Sequence, residues 1–369
     1  HSRLGAVMPT LSVPMPDQKI RIDQTLAGQS LAGAIKAAIK GQTWGSAKKL
    51  IARRHVHVNG NLCVDEGRRL REGDVVHVFE HPRAAPVTAS QIRIVYRDAH
   101  LVVIDKPAGV TTLRHAEERN WPKERKDRLP TLDELVQPAI AMQIRQQAPL
   151  PPRKPAHPLQ RGRRPQRRGA PLPPQKLRIP RVRAVHRLDR DTSGLMVFAL
   201  SPQAEQALIR QFKVHAIDRV YRAVVYGHLD EARTIESWLV RDRGDGLRGS
   251  SPLGKDAPDA QRAVTHVKPI ERIGPYTLVE CRLETGRTHQ IRIHLSEMGH
   301  RLCGEKVYTH APGQPPQEDT SGAPRHVLHS AEIRFIHPIT GQELHFRSGF
   351  PQELAAWISR VRKGASKAT

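Results

Sequence analysis

The chain's central junction constrains its fold most. A densely charged loop feeds without a break into the apolar run Leu195, Met196, Val197, Phe198, Ala199 and Leu200. A run of that length suits a buried strand and falls far short of a bilayer span. Thr192, Ser193 and Gly194 supply turn chemistry just before it. Upstream stand His186, Arg187, Asp189, Arg190 and Asp191, a mixture of cations and carboxylates. A polar loop anchored by a buried strand is held by a rigid core, which is where catalytic side chains tend to sit.

The 369 residues suffice for two domains with a sizeable core. Lys and Arg number 60 against 36 Asp and Glu, a formal charge of +24. That excess favours a polyanionic partner: nucleic acid first, an anionic membrane surface second. No apolar segment is long enough to span a bilayer, and nothing reads as a signal peptide. Cys63, Cys281 and Cys303 are scattered and form no Cys-x-x-Cys, so reduced thiols in the cytoplasm are expected. The 20 histidines include no His-Glu-x-x-His, and neither a metal nor a cofactor is expected.

Residues 1–18 read as a flexible leader. Residues 19–80 read as a small basic module. Leu31, Ala34, Ile35, Ala38 and Ile39 recur at helical spacing, and Ser46 is placed to cap a second helix over 47–54. That helix carries Lys48, Lys49, Arg53 and Arg54. Alternation at 55–58, Asn59-Gly60 and a return over 61–64 predict a hairpin, because both turn positions need positive φ. Residues 81–90 read as a linker, and a second domain over 91–362 opens with strands at 92–96 and 101–104. After the central loop, Ser201-Pro202 predicts a helix to Lys213. Strands are expected at 219–227 and 276–283, a helix over about 288–298, a hairpin over 328–346 and a closing helix over 351–362.

From 135 to 188 no Asp or Glu occurs, against 13 Lys and Arg. The Pro-rich part of this stretch has too little apolar content to fold alone, so a disordered basic insertion is expected at about 145–182. Either it grips RNA or it is a solvated linker.

His-Arg-Leu-Asp-x-x-Thr-Ser-Gly at 186–194 resembles the signature of RluA-type pseudouridine synthases at every fixed position. The strand pattern around Tyr221 and the stretch 284–294, which ends Gln-Ile-Arg-Ile-His, resemble two further motifs of that family. Lys106-Pro107-Ala108-Gly109 resembles its opening turn. Residues 299–309 depart from the family's usual Gly-His-Pro-Ile-x-Gly-Asp, with Arg301, Cys303 and Glu305 substituted. The basic module resembles the RNA-binding domain first described in the ribosomal small-subunit protein number four.

The resemblance implies an α+β fold, with a mixed, largely antiparallel catalytic sheet flanked by helices. It implies a uridine-to-pseudouridine isomerase with Asp189, Tyr221 and Arg292 as catalytic residues. Asp189 would attack the anomeric carbon or remove a neighbouring sugar proton, Tyr221 would stack on the base, and Arg292 would pair with Asp189. Arg187, His186, Arg287 and His289 would meet the RNA, and so would Lys48, Lys49, Arg53 and Arg54. Large-subunit ribosomal RNA is the expected substrate and a monomer the expected state. The alternatives are a synthase acting on tRNA, or a non-catalytic RNA-binding or ribosome-assembly protein keeping the fold.

Overall fold

The computed structural model describes residues 17–59, 61–80, 86–114, 116–147 and 179–365. Residues 1–16 of the expected leader, half of the expected linker and most of the expected basic insertion lie outside the described residues; Gln18, expected in the leader, opens the first strand instead. The chain divides into two units, His1–Pro86 with Pro122–Leu129, and Val87–Trp121 with Pro130–Thr369.

In the first unit, β1 (Gln18–Arg21), α1 (Leu31–Ala38), α2 (Trp44–Ala52), β2 (Val56–Val58), β3 (Asn61–Leu62) and β4 (Val75–Val78) follow in order. The strands pair antiparallel in the order β1-β4-β2-β3. Apolar periodicity places Leu31, Ala34 and Ile35 of α1 and Ile51 of α2 over Val56, Val58, Val76 and Val78. Asn59 adopts φ 51°, the left-handed conformation the turn demands. Helix α2 begins three residues before the expected start. Thr43, not Ser46, is its N-cap: Thr43 Oγ1 accepts from Ser46 N at 3.1 Å, and Ser46 Oγ accepts from Thr43 N at 2.8 Å. This reciprocal capping box satisfies donors that the helix start leaves open. The short helix α3 (Lys123–Arg128) belongs to this unit, where Arg125 pairs with Asp65.

The second unit holds β5 (Arg93–Arg97), β6 (Leu101–Lys106), α4 (Leu132–Gln147), β7 (Arg183–Ala184), β8 (Ser193–Ala199), α5 (Pro202–Lys213) and β9 (Asp218–Tyr226). It continues with β10 (Arg233–Val240), β11 (Gly249–Ser250), β12 (Gln261–Ile273), β13 (Tyr276–Leu283), α6 (Gln290–Glu297), β14 (Leu328–Ile336), β15 (Glu343–Arg347) and α7 (Gln352–Ala365). The strands form one mixed sheet in the order β11-β10-β12-β13-β9-β14-β8-β6-β5, with β15 on β14 and β7 on β8. Its one parallel pairing among the described residues joins β8 to β14; the rest are antiparallel. The architecture is thus the expected α+β class.

Strand β8 is the apolar run of the sequence, and all of it is buried. Period-two alternation sends Met196 and Phe198 into one core and Leu195, Val197 and Ala199 into another. Helix α4 covers the first face with Leu132, Val136 and Ile140, and α5 covers the second with Ala204 and Leu208. Each fully buried Leu, Ile, Val, Met or Phe among them contributes roughly 1.5–3 kcal/mol. Two-sided burial fixes β8, and with it the loop that enters it. Gly194 is required here: its φ is +114°, and a Cβ would run into the Ser330 backbone of the parallel neighbour.

Candidate active site

Loop 186–192 is fastened from below. The buried Lys106, last residue of β6, points Nζ at the carbonyls of Asp189 (3.1 Å), Arg190 (2.8 Å) and Thr192 (2.8 Å). Thr112 Oγ1 donates to the Leu188 carbonyl at 2.8 Å and accepts from Leu188 N at 3.2 Å. Thr192 Oγ1 meets His326 Nε2 at 3.0 Å. The backbone on both sides of Asp189 is therefore held by hydrogen bonds, while its side chain lines the cavity.

A second loop is built by the stretch 284–294. Gln290, buried at the start of α6, accepts from Thr285 Oγ1 (2.7 Å) and Arg287 N (3.0 Å). Its amide donates to the Val264 carbonyl at 2.9 Å, tying the loop to β12. His289 precedes α6 in the left-handed conformation, φ 59°. That turn aims His289 and Arg292 at Asp189.

The two loops and β9 enclose a cavity of about 500 Å³ lined by His186, Arg187, Asp189, Tyr221, Arg287, His289 and Arg292, among others. Every site residue expected in the second unit is on that wall. Lys48, Lys49, Arg53 and Arg54 belong to the first unit. Lys49 and Arg53 are exposed on α2, Lys48 pairs with Glu66 at 3.0 Å, and Arg54 donates to the Arg128 carbonyl at 3.2 Å.

Arg292 NH1 lies 3.4 Å from Asp189 Oδ2, and His289 Nε2 lies 3.8 Å from Oδ1. Burial alone would raise the Asp189 pKa, but the neighbouring positive groups outweigh it, and the carboxyl titrates below its ordinary value. Burial also disfavours the charged form of His289, so Arg292 is the permanent cation of the pair. Tyr221 sits beside them, 5% exposed, packed in the core and lining the cavity. Burial raises its phenol pKa, so it stays neutral. His186 is engaged by the fold: Nε2 accepts from Val197 N at 3.1 Å, and the ring stacks on Phe212 at 4.6 Å. Burial holds it near a pKa of 3, an uncharged wall residue.

Sequence reading missed the other half of the Arg292 site. Glu305, 1% exposed, grips the guanidinium in a fork: Nε to Oε2 at 2.8 Å and NH2 to Oε1 at 2.7 Å. Glu305 Oε1 also accepts from the backbone N–H groups of Lys306 and Val307, both at 2.9 Å. Burial opposes its charge, yet Arg292 and these donors hold it well below the usual carboxylate range. The departure at 305 from the family's usual Asp is thus a longer acid that forks Arg292, leaving the third nitrogen for Asp189. Tyr308 supports the pair from outside the cavity lining: its ring lies 5.2 Å from the Arg292 guanidinium, and its hydroxyl meets His289 Nδ1 at 2.7 Å. Among the described residues no group of three or more His, Cys, Asp or Glu could hold a metal ion.

A carboxylate kept ionised beside an aromatic ring, in a cavity of nucleotide size, matches what sequence comparison finds. The family model described as RNA pseudouridylate synthase matches residues 100–297. The chain belongs to that family. The ribosomal large subunit pseudouridine synthase D of Zymomonas mobilis is 30% identical over 345 residues, covering 92% of this chain and 96% of that one. Its namesake in Nitrosomonas europaea is 28% identical over 364 residues, covering 96% and 88%. Among solved structures, human RNA pseudouridylate synthase domain containing 4 shares the fold at a TM-score of 0.50 and 19% identity, over 73% of this chain and 93% of that one. The synthase carries Asp189, Tyr221 and Arg292 inside the matched segment. Glu305 and Tyr308 fall beyond it.

Proposed function

We propose that this pseudouridine synthase acts on large-subunit ribosomal RNA, with Asp189 as the catalytic carboxylate. One observation carries the assignment: Asp189 is the carboxylate of the cavity wall, and Arg292 holds it ionised while Tyr221 offers a ring beside it. The reaction breaks the bond from ribose to uracil N1, turns the base and rejoins it through C5. The uridine must leave its stack to enter the cavity. Asp189 then attacks the anomeric carbon or takes a neighbouring sugar proton, and both routes need the same ionised carboxylate. Arg292 keeps that charge in place, its own position fixed by Glu305. Tyr221 stacks on the base, since every base presents a π-face.

Arg187 and Arg287 are exposed at the cavity mouth, where cations meet the RNA backbone. The basic face of α2 serves the same purpose in the first unit, holding phosphates without reading sequence. The names of the relatives favour large-subunit ribosomal RNA, and the chain is taken to work as a monomer in the cytoplasm. The test exploits the displaced C5 hydrogen. Purified protein is given large-subunit, small-subunit and transfer RNA transcripts containing 5-tritiated uridine. Release from the large-subunit transcript is expected. Release from transfer RNA alone would overturn the substrate class, and release from none would overturn the reading.

A further inference from the structure

We infer that Arg219 is the seat of a phosphate bounding the target uridine. This rests on reading the cavity as the uridine site. Arg219 lies on β9 two residues before Tyr221, so both side chains leave the same face of the strand. It lines the same cavity and is only 8% exposed. Among the described residues no carboxylate pairs with it, and its Nε has no hydrogen-bond partner. The side chains that touch it are uncharged, and the Asp189 carboxylate of the same cavity is already paired with Arg292. The Tyr221 hydroxyl adjoins it, the Phe212 ring lies 5.5 Å from the guanidinium, and His186, uncharged, stacks on that ring.

The other buried cation of the cavity contrasts with it. Arg292 is neutralised twice over, by Glu305 and Asp189. A guanidinium nearly out of water with no counter-ion is costly unless a ligand supplies one. A uracil carbonyl would give a hydrogen bond without cancelling the charge. A phosphate gives both, and its oxygens match the planar fork. Space is kept for it as well. A Cβ at Gly286, across the cavity wall, would stand 3.0 Å from Arg219 NH1, so the glycine leaves that end of the guanidinium open. The phosphate of an extruded nucleotide would then dock between Arg219 and the mouth while the base meets Tyr221.

The test neutralises each partner in turn. A stem-loop RNA is cut around a uridine that the parent enzyme modifies. The phosphate on its 5′ or 3′ side is replaced by an uncharged methylphosphonate, and kcat/KM is measured for the parent, Arg219→Gln and Arg219→Lys. With Arg219 on one of these phosphates, the methylphosphonate and Arg219→Gln each lower kcat/KM roughly tenfold, as expected for a charge-assisted hydrogen bond. Combined at that linkage, they cost no more than either alone. Arg219→Lys recovers part of the loss on natural RNA and none on the neutral linkage, a pattern that a merely structural role would not give. Losses that multiply to about a hundredfold at both linkages would overturn the inference. Should Arg219→Gln fail to fold, the Arg219→Lys comparison decides it by the same criterion. A parent inactive on every stem-loop and on full-length RNA would instead remove the uridine-site reading itself, and this inference with it.

Discussion

Arg292 has its planar fork divided between two acids with different work. Glu305 takes two nitrogens and never reaches the cavity; Asp189 takes the third at 3.4 Å and faces it. Removing the charge of Glu305 should therefore be felt twice. Glu305→Gln breaks a buried pair, at a cost of about 3–5 kcal/mol in stability. It also frees Arg292 to swing, so kcat should fall at least tenfold while KM changes little. Glu305→Asp, which keeps the charge, should recover part of both. Thermal melts and turnover on ribosomal RNA would show this, and a Glu305→Gln enzyme with parental kcat would contradict the positioning role. Arg292→Lys keeps the charge of Arg292 but loses the fork. It cannot serve both acids at once and should also lose turnover strongly, as measured by tritium release.

Local signals in the sequence were sufficient for some elements and not for others. Helix α5 runs from Pro202 to Lys213 as read, because Ser201 and Pro202 mark its start chemically: Ser201 Oγ accepts from Ala204 N at 3.3 Å. Strand β13 also coincides with its apolar alternation, Tyr276–Leu283. Helix α4 was not expected: most of it falls in the acid-free stretch from 135, Pro138 lies inside it, and its last turn, to Gln147, overlaps the insertion expected to be disordered from about 145. Strand β12 was not expected either: it carries Pro269 and a register shift before Glu271, which breaks period-two alternation. At the site, the motif residues were legible, whereas the Glu305 fork was not. An ion pair thirteen residues apart depends on how two loops meet, and spacing along the chain does not report that. Two element-scale changes test the packing argument. Thr43→Ala should cost about 1 kcal/mol by removing the cap of α2, with no effect on kcat. Gly194→Ala should be far worse, because the methyl has no room against Ser330 and the φ is unfavourable. Loss of about 3 kcal/mol or more, or failure to fold, is expected in melts; a parental melting temperature would refute the close-approach argument.

On the scale of the whole molecule, buried histidines set the response to acid. Burial holds His186 near 3 and His294, His326 and His329 near 4 in the folded chain. In the unfolded chain each titrates at about 6.5. Between about pH 6.5 and 4 the unfolded state therefore binds more protons, so stability is full above that window and lost as pH falls through it. The melting temperature should be clearly lower at pH 5 than at pH 7.5, and equal values would contradict neutral burial of these rings. The fold, the cavity and its charges all converge on one carboxylate. Its direct test is pseudouridine mapping at single-nucleotide resolution in ribosomal RNA from cells lacking this protein. Those cells are complemented with the parent, Asp189→Asn or Asp191→Asn, each confirmed to be expressed and folded. The parent and Asp191→Asn should restore the same discrete pseudouridines, and Asp189→Asn should restore none while still binding the RNA. Restoration by Asp189→Asn at a rate within tenfold of the parent would show that the carboxylate beside Arg292 is not the one that does the chemistry.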